Sequence, residues 1–482
     1  MYKQYHFTTA TSIMGLKLID IAVIGAGFTG LLAGSLLSRK YKVAIFEQNN
    51  FIGGRAATRT PKDWNWAEKT NYQVDFGHHV FATNNYLEFI LDMVGAKKYF
   101  DFRLIKMPYF YKNGKLHKPP IGILEQIRAY PWISFKIKLR LRKFLKYVEK
   151  ASFNEIISKW AYRPLIDMYD EFGFDDNARE LFTDGFAAGY QTLNDPRKNS
   201  AGDLILCMKA YLKGIKKYKT PLFGAKRGVG RIAEALAKVI RKNESEIHLD
   251  SKVSKIIVKD NKVVGLEVNG KTIEAKKVLF TAPVYFLLDL IEENQIPSDF
   301  KDKLEKGREE ATSLFLIIGG AKKPLTGKPI GTWILVPESE VKHVNSYYLI
   351  YEIDPALDQA PEGNYVLSIA VLVDKKKFKD KEKLTEKMIN DINELFPQFD
   401  FDRDWDWRTE VLFPIVDGMG RTIDWFWEKR LGPETPIQNL YVAGDSAQEL
   451  SSGVDGCASS AIFAYEAITG DKLIDFNKFY KI

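Results

Sequence analysis

The sequence predicts an α/β fold, α+β over the whole chain, in which a parallel-sheet domain is interleaved with a second domain of antiparallel sheet and helices. Near its start the chain has a strand, a glycine-rich turn and a helix in direct succession. A strand leading into a similar turn returns near the end, and strands separated by turns lie between. Because no internal repeat or low-complexity linker divides the chain, we expect interwoven domains rather than domains in series.

Length and composition fit two or three large domains. At roughly 150 residues per domain, the 482 residues form a core that needs no metal or disulfide for stability. Cys207 and Cys457 lie far apart without CxxC spacing, which excludes a disulfide scaffold and fits a reducing compartment. Aromatic residues make up 13% of the chain, which indicates either a heavy core or a roomy apolar cavity.

Charge and targeting patterns exclude further classes. The net charge is +8, but lysines and acids are interleaved along the chain, so we expect no nucleic-acid partner. The histidines show no metal-ligand spacing, and we predict no metal. Residues 1–20 lack the apolar centre of a signal peptide, and no run reaches the roughly 18 apolar residues of a membrane span, so we expect a cytoplasmic protein. Met14, just before the first strand, is an alternative start.

The first glycine turn is typical of dinucleotide binding. An apolar strand at residues 21–24 precedes it, and a leucine-rich helix at 31–37 follows. The turn reads Gly25-Ala26-Gly27-Phe28-Thr29-Gly30. The first glycine permits the turn, the second lets a pyrophosphate approach the backbone over the helix N-terminus, and the third lets helix and strand pack closely.

An acid at the expected distance strengthens this interpretation. A second strand at residues 43–46 ends in Glu47, 22 residues after Gly25. In a dinucleotide-binding unit an acid there binds ribose hydroxyls. The sequence therefore predicts a nucleotide site, without deciding between FAD and NAD.

The residues after the acid favour FAD. The segment reads Phe51-Ile52-Gly53-Gly54-Arg55. Paired glycines let backbone lie against a cofactor, and an arginine can fork onto phosphate. This segment resembles the GG-motif flavoproteins, the superfamily of amine oxidases, protoporphyrinogen oxidases and phytoene desaturases. The resemblance implies a Rossmann-type FAD-binding domain.

The end of the chain extends the resemblance. A strand runs into Gly444-Asp445, and in the family this aspartate binds the ribityl chain. A helix of small residues follows, with Val454 and Asp455 in its first turn. Its N-terminus, aimed at the flavin pyrimidine edge, would stabilise the reduced ring. The resemblance thus implies that both chain ends bind one cofactor.

The middle of the chain predicts a β-meander. Strands are expected at residues 246–249, 252–258, 263–268 and 272–280, with a tight turn at Asn269-Gly270. In the family the position of Val253 contacts adenine through its backbone. The predicted FAD domain comprises residues 1–86, 221–284 and 438–482, and the substrate domain comprises 87–220 and 285–437.

Two further motifs are weaker. Asp75-Phe76-Gly77-His78-His79 resembles a strand entry that places its last residue near the cavity, although packing is the commoner role for a histidine such as His79. A second GxGxxA motif at residues 228–233, with Asp250 at 22 residues, would bind NAD(P)H in a flavin reductase. Because residues 221–227 do not read as a buried parallel strand, we interpret it as a glycine-rich segment near the cavity.

The substrate domain is expected to have a helical and a sheet part. Ile133, Ile137, Leu141, Leu145 and Val148 form an apolar helical stripe among lysines and arginines. With Phe135 and Phe144, this helix fits either peripheral membrane contact or a core-facing helix with a solvated basic back. Strands at 314–318, 347–351 and 365–373 predict a mainly antiparallel sheet.

The predicted function is oxidation of a large apolar small molecule, a carotenoid or other isoprenoid, by hydride transfer to flavin N5. Aligned with the motif of monoamine-type amine oxidases, Gly453 stands at the position of their cage tyrosine, so the resemblance does not extend to that aromatic cage. No cysteine occurs just before Gly444, in the stretch where those enzymes attach flavin covalently, so the resemblance implies noncovalent FAD. An amine or porphyrinogen oxidase, and a flavin-free prenyl-binding protein of the GDP-dissociation-inhibitor type, are the alternatives. No catalytic residue is predicted. The aromatic residues Trp405, Trp407, Trp425, Phe426 and Trp427 fall in the segments where a substrate cavity would form, and they can either line that cavity or pack a core.

Overall fold

The computed structural model describes residues 18–77, 79–120, 129–376 and 378–482. The alternative start at Met14 and the motif residue His78 lie outside these residues. Within them, no helix is long and apolar enough to cross a membrane.

The strands of the described residues include those predicted from the sequence and several others. In chain order they are β1 Ile19–Ile24, β2 Val43–Phe46, β3 Thr58–Arg59, β4 Val74–Asp75, β5 Phe81–Ala82, β6 Phe102–Ile105, β7 Tyr109–Lys112, β8 Lys115–His117, β9 Leu222–Ala225, β10 Glu246–His248, β11 Val253–Lys259, β12 Lys262–Val268, β13 Lys271–Phe280, β14 Ser313–Ala321, β15 Trp333–Val336, β16 Tyr348–Glu352, β17 Tyr365–Val373, β18 Trp405–Phe413 and β19 Leu440–Val442.

The helices of the described residues are concentrated between β8 and β10. In chain order they are α1 Phe28–Leu37, α2 Tyr86–Met93, α3 Phe135–Lys150, α4 Phe153–Trp160, α5 Leu165–Phe172, α6 Asp176–Phe182, α7 Ala188–Gln191, α8 Ala201–Tyr218, α9 Gly230–Lys242, α10 Ser298–Glu309, α11 Lys381–Leu395, α12 Gly453–Thr469 and α13 Phe476–Phe479.

A parallel sheet of order β10-β2-β1-β13-β19 forms the centre of the first domain. Its strands are apolar because helices and loops cover both faces, as is usual for parallel sheets. The predicted meander β11-β12-β13 is antiparallel and continues from the same sheet. Its turn has Asn269 and Gly270 at φ of 48° and 75°, as a type I′ hairpin requires. All carboxyl ends of the parallel strands therefore meet at one edge.

A second sheet of order β18-β14-β17-β16-β15-β7-β8 confirms the predicted antiparallel sheet. One pair departs from the pattern, since β7 runs parallel to β15. Strands β7 and β8 lie within residues 87–220, the mainly helical part of the predicted substrate domain, which we call the helical block. The second sheet therefore joins the two parts of that domain.

The helical block packs on the first domain. Phe144 and Trp160 belong to the same apolar core as Leu31 of α1 and Ile462 of α12. The chain end closes the block, because Phe479 stacks on Tyr86 with ring centroids 4.5 Å apart.

The segment before the GxGxxA motif is not a buried parallel strand, as predicted, although it does form a strand. Residues 222–225 form a strand, β9, and all four are buried. It pairs antiparallel with β5 and β6 in a separate small sheet. Although the segment is a buried strand, α9 thus follows an antiparallel strand outside the main sheet. The motif lacks the strand–helix frame of a second dinucleotide site.

Helix α3 faces the core with its apolar stripe. Ile137, Phe144 and Val148 are buried, whereas Phe135 is 63% exposed. The core-facing interpretation of the stripe is confirmed. The sequence analysis did not distinguish Phe135 from Phe144, but the structure buries Phe144 in the core and exposes Phe135 to solvent.

We expect Phe144→Ala to lower the free energy of unfolding by about 3–5 kcal/mol, because it leaves a cavity in the shared core. Phe135→Ala, on the exposed face of the same helix, should change it by less than about 0.5 kcal/mol. Urea unfolding followed by circular dichroism compares the two. Equal losses would contradict the orientation of this helix.

Candidate functional site

The first glycine turn lies at the carboxyl edge of the parallel sheet. The Gly25 amide donates to the carbonyl of Phe46, 2.8 Å away, which ties the turn to β2. Helix α1 begins at Phe28 without a side-chain cap, and Gly27 is its N-cap residue. The amides at this helix start therefore remain available for an anion such as a pyrophosphate.

The glycines have the distinct roles that the motif predicts. A Cβ at Gly30 would lie 2.0 Å from the carbonyl oxygen of Gly25, so only glycine allows helix and strand to pack this closely. A Cβ at Gly27 would meet no atom within 4 Å. Gly27 thus borders open space, and its lack of a side chain serves access to the backbone. These residues fit a dinucleotide.

Glu47 holds the turn from the end of β2. It is buried, and its Oε2 accepts a hydrogen bond from the Ala26 amide at 2.8 Å. Its Oε1 accepts from the Asn49 amide and from Asn49 Nδ2, at 2.9 and 2.7 Å. A carboxylate has about four acceptor positions, so Glu47 can position the turn and still accept from a ribose hydroxyl.

The predicted adenine contact lies beside this acid. The Ser251 amide donates to the Glu47 carbonyl at 2.7 Å, and two residues later Val253 begins β11. The structure thus brings Glu47 and Val253 together at one end of the turn.

The Gly53–Gly54 segment lies directly on the first turn. The Gly53 amide donates to the Ala26 carbonyl at 2.8 Å. Gly53 and Gly54 have φ of 100° and 56°, and a Cβ on Gly54 would lie 3.1 Å from the Cα of Gly27. Both the backbone conformation and the contact require glycine. Arg55 follows at once and faces the far end of the chain.

Arg55 forks onto Asp445. Its Nη1 lies 2.8 Å from Oδ2, and its Nη2 donates to Oδ1 at 2.9 Å. The Gly418 amide also donates to the carboxylate, at 2.8 Å. Burial acts to raise the pKa of Asp445, but Arg55, the Gly418 amide and Arg421 together outweigh it and hold the pKa below its usual value. The sequence expects this arginine on a phosphate; here it binds the carboxylate that is itself predicted to bind the ribityl chain.

The C-terminal turn meets the N-terminal one. Gly444 has φ of 130°, and its amide donates to Ser460 Oγ at 2.9 Å. A Cβ at Gly444 would lie 3.6 Å from the Thr29 hydroxyl, so the two turns are neighbours. The edge where β1, β13 and β19 end therefore forms one cradle from both chain ends.

Helix α12 begins beside this cradle. Its N-cap, Ser452, makes no side-chain cap, which leaves the amides around Val454 available. The Asp455 carboxylate instead accepts from the amides of Ala82 and Leu87, at 3.0 and 3.2 Å. Burial raises the pKa of Asp455 to about 7. Its side chain thus anchors α2, and any cofactor contact is left to the backbone.

Sequence reasoning missed a buried ion cluster behind the cradle. Arg421 and Arg430 both bind Glu449 Oε1, at 2.7 and 2.8 Å. Arg421 also pairs with Asp417 at 3.0 Å, and Arg430 donates to the carbonyl of Asp445 at 2.7 Å. No motif marks these residues. Their only distinguishing feature in the sequence is their charge. Charged residues between predicted strands are usually exposed to solvent, so this feature does not predict a buried cluster.

His79 lies near the cavity, as the motif predicts, but it has neighbours that the sequence did not reveal. Its Nδ1 is 3.7 Å from Asp75 Oδ2, and its ring stacks on Tyr351 with centroids 4.8 Å apart. Trp333 packs on both rings. His79 Nδ1 and the Tyr351 hydroxyl are buried and have no hydrogen-bond partner among the described residues. His79 therefore has an acid at i−4 that lies beyond hydrogen-bond distance.

An apolar cavity of about 130 Å³ lies between the helical block, the second sheet and the start of α12. Ser452 and Asp455 border it on the cradle side. Seven aromatic residues line it: Tyr109, Phe110, Tyr130, Phe186, Tyr190, Tyr211 and Trp333.

For three of the five aromatic residues singled out in the sequence, the structure favours core packing over cavity lining. Trp405 and Trp407 pack in the cores on the two sides of the second sheet, and Phe426 packs in the helical core. None of the five is among the described lining residues of the cavity.

Comparisons with known proteins agree with this architecture. The family model described as flavin-containing amine oxidoreductase matches residues 28–469. An oxidoreductase structure from Methanosarcina mazei covers 92% of this chain and 99% of its own, with TM-score 0.71 and 20% identity. Cyclohexylamine oxidase from Brevibacterium oxydans covers 94% and 99%, with TM-score 0.63 and 14% identity.

A protein of different description is also similar. The Rab GDP dissociation inhibitor beta of Rattus norvegicus is 23% identical over 406 residues, which are 78% of this chain and 84% of that protein. Likeness at this level indicates a shared fold.

We expect Gly27→Ala to weaken FAD binding about tenfold or more, because a methyl group would occupy the space that a pyrophosphate needs. The melting temperature of the flavin-free variant should stay unchanged, since no protein atom is near. Gly30→Ala is the matched control for packing and should lower that temperature. Fluorescence titration with FAD and thermal unfolding measure both. Normal FAD affinity in Gly27→Ala would contradict the assigned role.

Glu47→Ala should weaken FAD binding by about 1.5–3 kcal/mol, the value of a hydrogen bond to a charged group. Asp250→Ala removes the acid at the same spacing from the second glycine motif and should retain FAD. The FAD dissociation constants of the two variants, measured by the same fluorescence titration, are compared with that of the wild type. Unchanged FAD retention in Glu47→Ala would refute its ribose role.

Proposed function

Because the chain belongs to the flavin-containing amine oxidoreductase family, we propose that it is an FAD-dependent dehydrogenase of a large apolar substrate of the carotenoid or isoprenoid type. FAD is its cofactor and, when bound, supplies the hydride acceptor. We expect it to be held without a covalent bond.

The apolar lining of the cavity supports this proposal. Among its described lining residues, Asp455 is the only acid, and no lysine, arginine or histidine is present. Both Asp455 oxygens already accept backbone hydrogen bonds. A substrate there gains little from charge and much from contact with aromatic rings.

The small volume of the cavity favours a thin section of substrate. Typical ligand pockets measure about 300–1,000 Å³, and this cavity, at about 130 Å³, is smaller. It suits the reacting section of a thin polyene or prenyl chain better than a whole porphyrinogen. The surrounding rings would exclude water and hold that section beside the start of α12.

Amine oxidation is the second candidate, because the rings of the cavity offer faces for a cation. A buried ammonium group also needs an anion, or it loses its hydration without compensation. Burial raises the pKa of Asp455 to about 7, so near neutral pH this group offers only part of a negative charge, and the apolar substrate is the better match.

A protein that binds prenyl groups without catalysing a reaction is the non-enzyme alternative, because the chain is similar to the Rab GDP dissociation inhibitor. The open space at Gly27, the buried acceptor Glu47 and the Arg55–Asp445 pair argue for a protein that holds a cofactor. A purified protein without visible flavin absorption, even after addition of FAD, would support the binding protein.

Anaerobic mixing with phytoene, an amine and protoporphyrinogen in turn tests the substrate class. We expect phytoene to bleach the visible flavin absorption. Trp333→Phe, in the cavity, should raise the phytoene concentration needed for half-maximal bleaching rate severalfold, because ring contact is lost. Trp407→Phe, outside the cavity, is the matched control and should not. Bleaching by the amine alone would overturn the isoprenoid proposal.

A further inference from the structure

The outer face of helix α3 carries apolar side chains that nothing in the described protein covers. Phe135 and Leu139 are 63% and 52% exposed, the highest values among the large hydrophobic side chains of the described residues. They are four residues apart and so lie one turn apart on the same face. Phe144, on the opposite face, is fully buried.

Cations surround these two side chains. The helix has seven basic residues and one acidic residue. At about 100° per residue, Phe135, Leu139, Arg142, Lys143 and Lys146 project within a sector of about 100°. The ion pairs of the described residues leave Arg142, Lys143 and Lys146 without a carboxylate partner. We name these five residues the α3 outer face.

The α3 outer face lies close to the cavity. Tyr130 lines the cavity, and α3 begins five residues later at Phe135. At no more than about 3.6 Å per residue, their Cα atoms are within about 18 Å of each other. Ile133 between them is buried, which fixes this connection to the core.

We propose that the α3 outer face docks the protein on an anionic phospholipid surface, next to the point where an apolar substrate reaches the cavity. Two exposed apolar side chains insert at the interface, and the unpaired cations bind the lipid phosphates. An acidic protein surface would match the charges but gives no role to the neighbouring cavity. Membrane docking would bring the protein to an apolar substrate dissolved in the lipid, so this inference rests on the proposed function.

Sedimentation of the FAD-loaded protein with vesicles tests the docking. Vesicles are made of phosphatidylcholine alone, or of phosphatidylcholine with phosphatidylserine as the minor component. We expect binding to the anionic vesicles only, weakened by salt. Lys143→Glu with Lys146→Glu, and separately Phe135→Ser with Leu139→Ser, should each lower the partition coefficient about tenfold or more.

A matched charge control uses Lys383→Glu with Lys387→Glu on α11, a helix without large exposed hydrophobic side chains in the described chain. This variant should bind like the wild type. Equal loss in all three variants would mean a general charge effect and would overturn the proposal. Absence of wild-type binding would also overturn it and leave an acidic protein as the partner.

The outcome is separable from that of the proposed function. Anaerobic bleaching by detergent-dispersed phytoene should be unchanged in both α3 variants, because neither touches the cavity. Vesicle binding without bleaching would refute the substrate and retain the docking surface. Bleaching without vesicle binding would refute the docking and retain the substrate.

Discussion

The cofactor cradle depends on the ion pair between Arg55 and Asp445, two residues separated by 390 positions in the chain. The Asp445 carboxylate is buried, so removal of the arginine would leave an unpaired charge, at a cost of about 3–5 kcal/mol. Because Arg55 directly follows Gly53 and Gly54, its ion pair with Asp445 also helps to hold the Gly53–Gly54 segment against the first glycine turn. This interaction thus ties the N-terminal glycine segments of the cradle to its C-terminal turn.

The cluster of Arg421, Arg430 and Glu449 extends this constraint to the rest of the molecule. Arg430 binds the carbonyl of Asp445, and Arg421 pairs with Asp417, whose carbonyl accepts from Thr312 at the entry to β14. The loop after β18 is therefore fixed to the cradle. Strands β14 and β18 belong to the sheet that lines the cavity. These contacts therefore fix the position of the cavity relative to the cradle.

Polar and apolar chemistry lie on separate sides of the start of α12. Toward the cradle stand backbone amides and buried ions, which suit phosphate and ribose. Toward the cavity stand aromatic rings, which suit an apolar chain. Asp455 separates the two, because its carboxylate closes α2 and β5 onto the helix. Helix α3, with its exposed apolar side chains, begins five residues beyond the cavity-lining Tyr130.

The sequence by itself determined the local features of this protein. The glycine turns, the position of Glu47, the meander and the apolar stripe of α3 follow from backbone conformation and periodicity within short windows, so they could be predicted. Tertiary structure alone decided which groups meet. It gave Arg55 a carboxylate, placed Asp75 and Tyr351 beside His79, made residues 222–225 an antiparallel strand, and sent Trp405 and Trp407 into the cores. These outcomes depend on contacts between distant segments, which no local spacing encodes.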